Sequence, residues 1–154
     1  MTASILCRDI LDNVHIVPID ELVRRSSVYG IIKKADQVLL VSDRTSSGRW
    51  DLPGGGIEPG EGKLVALARE IKEETGLILV GVSRVVCEFK EYFFDVDSQK
   101  GWESTRSFYE VHCEGTAQLG HNGDDIVEAR FFEPPFDDAN ISAATKEVLR
   151  TANV

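Results

Sequence analysis

Three glutamates, Glu70, Glu73 and Glu74, fall three and four positions apart behind a run of glycines, Gly54, Gly55 and Gly56. Leu64, Leu67, Ala68 and Ile71 recur at the spacing of one helical face, and Gly76 supplies a stop, so the periodicity predicts a helix from residue 62 or 63 to about residue 75. That phase gathers the three carboxylates on the opposite side. Like charges at this spacing repel and call for a compensating cation or basic side chain. Carboxylate oxygens are also the donors a hard cation such as Mg²⁺ prefers, with retained waters and substrate phosphate completing its shell. A solvated acidic helix face is the alternative reading of the glutamates alone. Against it stands Leu52-Pro53 followed by three glycines, a stiff lead into backbone that can approach a ligand closely, which favours a site.

Residues 55–77 read G-x5-E-x7-R-E-U-x-E-E-x-G-U, where U is a bulky apolar residue. Gly55, Glu61, Arg69, Glu70, Ile71, Glu73, Glu74, Gly76 and Leu77 fill every fixed position. This segment resembles the signature of the Nudix hydrolase family, MutT-like proteins included, and nine constrained positions over 23 residues are far more specific than a lone glycine fingerprint. The resemblance implies an α/β fold, an α/β/α sandwich with a curved mixed sheet between helices. It also implies hydrolysis of a nucleoside diphosphate linked to another moiety, with Mg²⁺ or Mn²⁺ as cofactor. Glu70, Glu73 and Glu74 would then be catalytic and metal-binding, with the Gly55 carbonyl as a further oxygen ligand. A metal there would neutralise charge on phosphoryl oxygens and acidify a water. Glu70 is the first choice for the carboxylate that assists deprotonation. Arg69 is expected to point elsewhere on the helix and to clamp Glu61 bidentately, supporting the site, in preference to binding phosphate directly.

Outside that segment the candidates are less constrained. Members of the family often take one more carboxylate from beyond the signature, and here Asp125, a metal ligand or a loop cap, and Glu128, the runner-up, precede the Phe131-Phe132 pair. Arg44 and Arg49, in the polar stretch 43–49, are candidates for substrate phosphate or ordinary loop arginines. Trp50 is read as a core anchor in preference to a shelf for a base. In family terms a proline about 15 residues beyond the signature favours ADP-ribose, and Glu91, Tyr92 and Phe93 stand there instead; Tyr92 points toward dinucleoside polyphosphates. Nucleoside triphosphates, standard or oxidised, come first, cleaved to the monophosphate and pyrophosphate, and dinucleoside polyphosphates second. A catalytically silent nucleotide-binding or regulatory domain is the third reading.

The chain has 154 residues, a length that fits one domain over 1–154, with 1–25 as an extension packed on it. No run of 18 apolar residues and no basic, apolar leader is present, so the expectation is a cytoplasmic protein with no membrane partner. Cys7, Cys87 and Cys113 are odd in number and widely spaced, which fits reduced thiols better than disulfides or a zinc site; His15, His112 and His121 have no ligand spacing. Asp and Glu outnumber Lys and Arg by 26 to 17, and the net charge of −9 opposes a surface that tracks long nucleic acid. A small nucleotide arriving with its cation is compatible with that charge, and capped RNA ends stay open. A monomer or a homodimer is expected, since the aromatic surface around Phe89, Tyr92, Phe93, Phe94, Trp102, Phe108 and Tyr109 would serve either a base or a second copy.

The elements that must position these residues read as strands over 28–34, 38–44, 79–86, 88–96 and 105–113, with a turn at 97–102 and a terminal helix over 139–151. Apolar residues between Ile5 and Val17 suggest an edge strand in the N-terminal segment.

Overall fold

Along residues 23–34, Val28 and Ile32 turn to one side and Tyr29 and Ile31 to the other, and both sides meet apolar partners. A strand buried on both faces needs a layer on each, which makes the sheet the middle of a sandwich. The architecture is that of a computed structural model, which describes residues 3–43, 48–122 and 127–154. In chain order the elements are β1 (Ser4–Arg8), β2 (Val14–Pro18), a 3-10 turn (Ile19–Glu21), β3 (Val23–Lys34), β4 (Gln37–Asp43), β5 (Trp50–Asp51), β6 (Gly54–Gly56), α1 (Lys63–Thr75), β7 (Ile78–Asp95), β8 (Lys100–Glu114), β9 (Gly120–Asn122), β10 (Val127–Phe132) and α2 (Ala143–Ala152).

The strands form a mixed sheet in the order β2-β1-β7-β8-β3-β4-β10-β9, with β5 on β4 and β6 on β3. Its centre is β3. One edge runs parallel to β8 from Val23↔Trp102 to Ile32↔Val111, and the other takes β6 through Val28↔Gly55 and β4 through Lys33↔Val38. Ala66, Leu67 and Ile71 of α1 cover one face over Val28, Ile32, Leu39, Val41, Tyr109 and Val111. On the opposite face, Val148, Leu149 and Ala152 of α2 pack on Ile31, Leu40, Trp50, Leu52 and Phe108. This is the α/β/α sandwich with a curved mixed sheet that the sequence led us to expect.

Helix α1 has the expected bounds, and Gly76 ends it at φ 77° with its N–H returned to the Lys72 carbonyl. Its buried face is Ala66, Leu67, Ile71 and Thr75. Leu64, expected in that face, lies half exposed in the first turn. Thr75 is tolerated inside because its hydroxyl donates to the Ile71 carbonyl at 2.6 Å. Strand β3 begins five residues before the expected 28, because pairing with β8 carries the polar stretch Arg24, Arg25 and Ser26 into the sheet. The two expected strands over 79–96 are one, β7, whose register against β8 slips between Leu79/Gly81, Val82/Arg84 and Val85/Cys87. Trp102, expected in a turn, is inside β8, and the last helix starts four residues later than read.

The N-terminal segment folds as the β1–β2 hairpin at the sheet edge. It touches β7 through one parallel pair, Arg8↔Phe93, and buries Cys7, Val17 and Leu22 against Ile5, Tyr92 and Phe94. Asp9 fixes its turn, accepting hydrogen bonds from the N–H groups of Leu11 and Asn13 at 2.9 Å and lying 2.8 Å from His15 Nε2; these bonds, that of His15 foremost, bring the Asp9 carboxyl down to about 2. Cys7, Cys87 and Cys113 are all free thiols, and burial pushes that of Cys113 up to about 11. Among the described residues no helix is long and apolar enough to cross a membrane.

Candidate active site

The glycine run is β6, held edge-on against β3. Gly54 sits at φ 153°, and a methyl group added to it would come within 2.0 Å of the Val28 carbonyl oxygen, so only glycine lets the chain pass there. A methyl on Gly55 would meet the Glu70 carboxylate at 2.7 Å. The absence of side chains therefore seats a helix carboxylate directly on the loop backbone. Glu74, one turn further along α1, accepts the Gly54 N–H at 2.8 Å. Two of the three signature glutamates are thus in contact with the glycines.

Arg69 organises the rest. Its Nε donates to Glu61 Oε2 at 2.8 Å and its Nη2 to Glu61 Oε1 at 2.9 Å, a bidentate pair, while Nη2 also donates to the Gly56 carbonyl at 3.1 Å. Contrary to the expectation that it points elsewhere, Arg69 also reaches along its own helix: Nη1 lies 2.9 Å from Glu70 Oε1 and 3.6 Å from Glu73 Oε2. The cause is the length of the side chain, which lets one guanidinium span loop and helix. Hydrogen bonds from Arg69 and from the Glu58 N–H hold the Glu61 carboxyl down at about 2. Glu70 responds differently, because burial raises its carboxyl above the ordinary range and outweighs the opposing pull of Arg69. Glu73 is the exposed member of the three.

Among the described residues, no three His, Cys, Asp or Glu side chains are gathered closely enough to enclose a cation. Glu70 is turned to Arg69 and Glu74 to the Gly54 amide. The donor set is nonetheless made of hard oxygens, and the seat of Glu70 on Gly55 brings a carboxylate to the backbone that would supply the carbonyl ligand, which fits Mg²⁺ or Mn²⁺ and not a soft metal.

Beyond the glycines the candidates divide. Asp125 and Arg44 lie outside the described residues. Glu128 stands on β10 opposite Ser42. Its neighbours Ala129 and Phe131 pack under α1, so alternation turns Glu128 to the α2 side. Arg49 is exposed and lines no part of the clefts beside the glycines. Trp50 is an anchor and not a shelf: it is 7% exposed, packs edge-on against Phe132 at 5.0 Å and lies under the Arg130 guanidinium. Tyr92 faces the hairpin core and donates to Glu103 at 3.2 Å. Strand alternation gives the cleft side of β7 to Phe93 instead, which corrects the substrate-binding expectation for Tyr92.

Two adjoining clefts flank the glycines and share Tyr29 and Arg106. One runs past Gly54 and Glu74 to Asp51 and Thr145. There Asp51 accepts from Ser142 and from Thr145 Oγ1, and Ser142 caps α2 through the Thr145 N–H, so the second helix is pinned to the strand that feeds the glycine loop. The other cleft opens past Gly55 and Gly56 to Arg25, Phe93 and Trp102. Sequence reading missed Arg25, Tyr29 and Arg106. The alternation Arg25, Ser27, Tyr29 was available in the sequence, but the pairing of β3 with β8 that brings Arg106 beside them was not.

Residues 23–151 match the NUDIX domain. The ADP-ribose pyrophosphatase of Methanocaldococcus jannaschii is 48% identical over 54 residues, 34% of this chain and 32% of that protein. An RNA pyrophosphohydrolase of Sphingopyxis alaskensis is 35% identical over 79 residues, 50% of each. Among solved structures, the MutT NUDIX hydrolase from Burkholderia pseudomallei superposes with a TM-score of 0.66 at 22% identity, over 84% of this chain and 98% of that one. The chain belongs to the Nudix hydrolase family. The sequence matches span a third to a half of these two relatives, whose named substrates differ.

Proposed function

We propose that this protein, as a single domain over residues 1–154, hydrolyses a phosphoanhydride bond in a nucleoside diphosphate linked to another moiety. The first reading of the substrate is a nucleoside triphosphate, standard or oxidised, giving the monophosphate and pyrophosphate. The observation that carries it is the Glu70 carboxylate seated on Gly55 and braced by an arginine that Glu61 holds bidentately, at the mouth of clefts lined by arginine and aromatic side chains. The Gly55 carbonyl, Glu70, Glu73 and Glu74 would hold Mg²⁺ or Mn²⁺, with Asp125 or Glu128 as a further ligand, and the ion would offset charge on the phosphoryl oxygens and acidify a water. Glu70 is then the group that takes the proton from that water, since burial raises its carboxyl toward the working range of a base. Arg69 fixes the position of that carboxylate, and the Gly54 amide fixes Glu74.

The dinucleoside polyphosphate reading rests on Tyr92, and that side chain is turned to the hairpin, packing against its core. A silent binding domain would be expected to lack part of the signature, and every fixed position is filled. A small nucleotide as partner, no long nucleic acid, a cytoplasmic setting, and a monomer or homodimer complete the reading.

The test is chromatographic resolution of products from nucleoside triphosphates, diadenosine polyphosphates, ADP-ribose and nucleotide sugars with Mg²⁺ present. Glu70→Gln and Glu73→Gln are expected to lower turnover by roughly 10²- to 10⁴-fold, the range of a lost general base. Equal turnover in wild type and both variants would sink the assignment.

A further inference from the structure

The cations available to a phosphate chain are decided by which guanidinium groups already have partners. Arg69 has its donors on both Glu61 oxygens, on Glu70 and on the Gly56 carbonyl. It braces the loop from the helix side and has little left for a ligand. Arg25 lies across the same glycine: a methyl added to Gly56 would stand 3.0 Å from Arg25 Nη2 and 3.3 Å from Nε. Yet none of the ion pairs or hydrogen bonds among the described residues involves the Arg25 guanidinium.

Arg106 joins it. In the parallel pairing of β3 with β8, Arg25 stands opposite Ser104 and Ser27 opposite Arg106, so the two arginines are diagonal neighbours on one face. Arg106 has one long contact, 3.4 Å from Nη2 to Glu91 Oε2, and it lines both clefts beside the glycines. Two cations placed together with one long ion pair between them and any carboxylate, in a chain of net charge −9, favour an anionic ligand at that position. A planar guanidinium holds phosphate oxygens in pairs, which a lysine at the same place would not do. Next along the same face, Phe93 stacks parallel to Trp102 at 6.1 Å with a partly exposed ring, and the buried Trp102 indole N–H meets no acceptor among the described residues.

We propose that Arg25 and Arg106 form a phosphate-holding subsite on the sheet side of the glycine loop, selecting ligands whose phosphate chain reaches from Glu70 across Gly56, with the base lying toward Phe93 and Trp102. The subsite rests on the hydrolase reading for its purpose, though not for its existence. It takes a di- or triphosphate and discriminates against a monophosphate, which cannot engage the glutamates and both arginines together.

The probe is inorganic tripolyphosphate with Mg²⁺, its binding followed by calorimetry in wild type, R25Q, R106Q, the double variant, R25K and E91Q, each checked for an unchanged thermal transition. The double variant is expected to bind at least tenfold more weakly, R25K to recover part of the loss, and E91Q, which releases Arg106, to bind more tightly. With whichever triphosphate is turned over, the arginine variants should act mainly on KM. Wild-type binding by the double variant, or no binding by wild type, overturns the subsite even if hydrolysis is established. Loss of tripolyphosphate binding in the double variant, together with full turnover in E70Q and E73Q, would keep the subsite and overturn the hydrolytic centre. Should R25Q fail to fold, R25K and E91Q carry the same comparison.

Discussion

Gly56 has a guanidinium on either side, and the surroundings of each decide its work. Arg69 is locked by carboxylates into the helix-side brace, whereas the Arg25 guanidinium has no such partner among the described residues. The brace has a pH signature. Because the Glu61 carboxyl is held at about 2 in the fold and titrates near its ordinary value when unfolded, the pairing stabilises the protein fully above about pH 4.5. That contribution falls as the pH drops toward 2. Glu61→Gln should therefore be less stable than wild type at neutral pH and should converge with it on acidification, as read by urea unfolding across pH 2 to 6. Gly54→Ala drives a methyl into the Val28 carbonyl and should destabilise by about 1–3 kcal/mol, the range for overpacking, while loosening the Gly54 N–H bond to Glu74.

At the level of elements, the two helices set the site by different means. Helix α1 is held by its buried face: Ile71→Ala should cost about 2–5 kcal/mol, whereas Leu64→Ala, on the half-exposed first turn, should stay within about 0.5 kcal/mol, both by chemical denaturation. Helix α2 packs a buried face of its own and is fixed besides at its N-terminus, where Ser142 both caps the helix and donates to Asp51; Ser142→Ala should cost about 0.5–2 kcal/mol. Legibility in the sequence follows the range of the interaction. The glycine run, the glutamate helix and its stop at Gly76 are local, and spacing alone gave their placement and the helix bounds. The strand from Val23 to Val28 was not legible, because Arg24, Arg25 and Ser26 become strand only by pairing with residues 103–105, far along the chain. For the same reason Arg106 carried no signal, and the choice between Tyr92 and Phe93 on β7 was missed although it is a matter of one residue in a period of two.

Across the whole molecule, cohesion is uneven. The β3–β8 pair runs through the centre, flanked by both helices, while the β1–β2 hairpin is joined to β7 by a single residue pair and a small core around Cys7, Val17 and Leu22. Native-state hydrogen exchange should show backbone amides of β1 and β2 opening well below the global unfolding free energy, and those of Ile31 and Tyr109 only with it. Equal protection in the two regions would show the hairpin to be part of one cooperative unit.

One tie across the molecule reaches further than stability. The Trp50 N–H donates to the Asn140 carbonyl, its own carbonyl accepts from the Ser142 N–H, and Asp51 is bonded to Ser142, 91 positions away. The residues that steady the approach to the glycine loop are thus made well after the loop itself. A nascent chain carries its complete glycine and glutamate signature once Leu77 has been made, but the strand that leads into it is tied down only when α2 follows and docks. Chains interrupted before α2 should therefore bear the motif without the tie that steadies its approach.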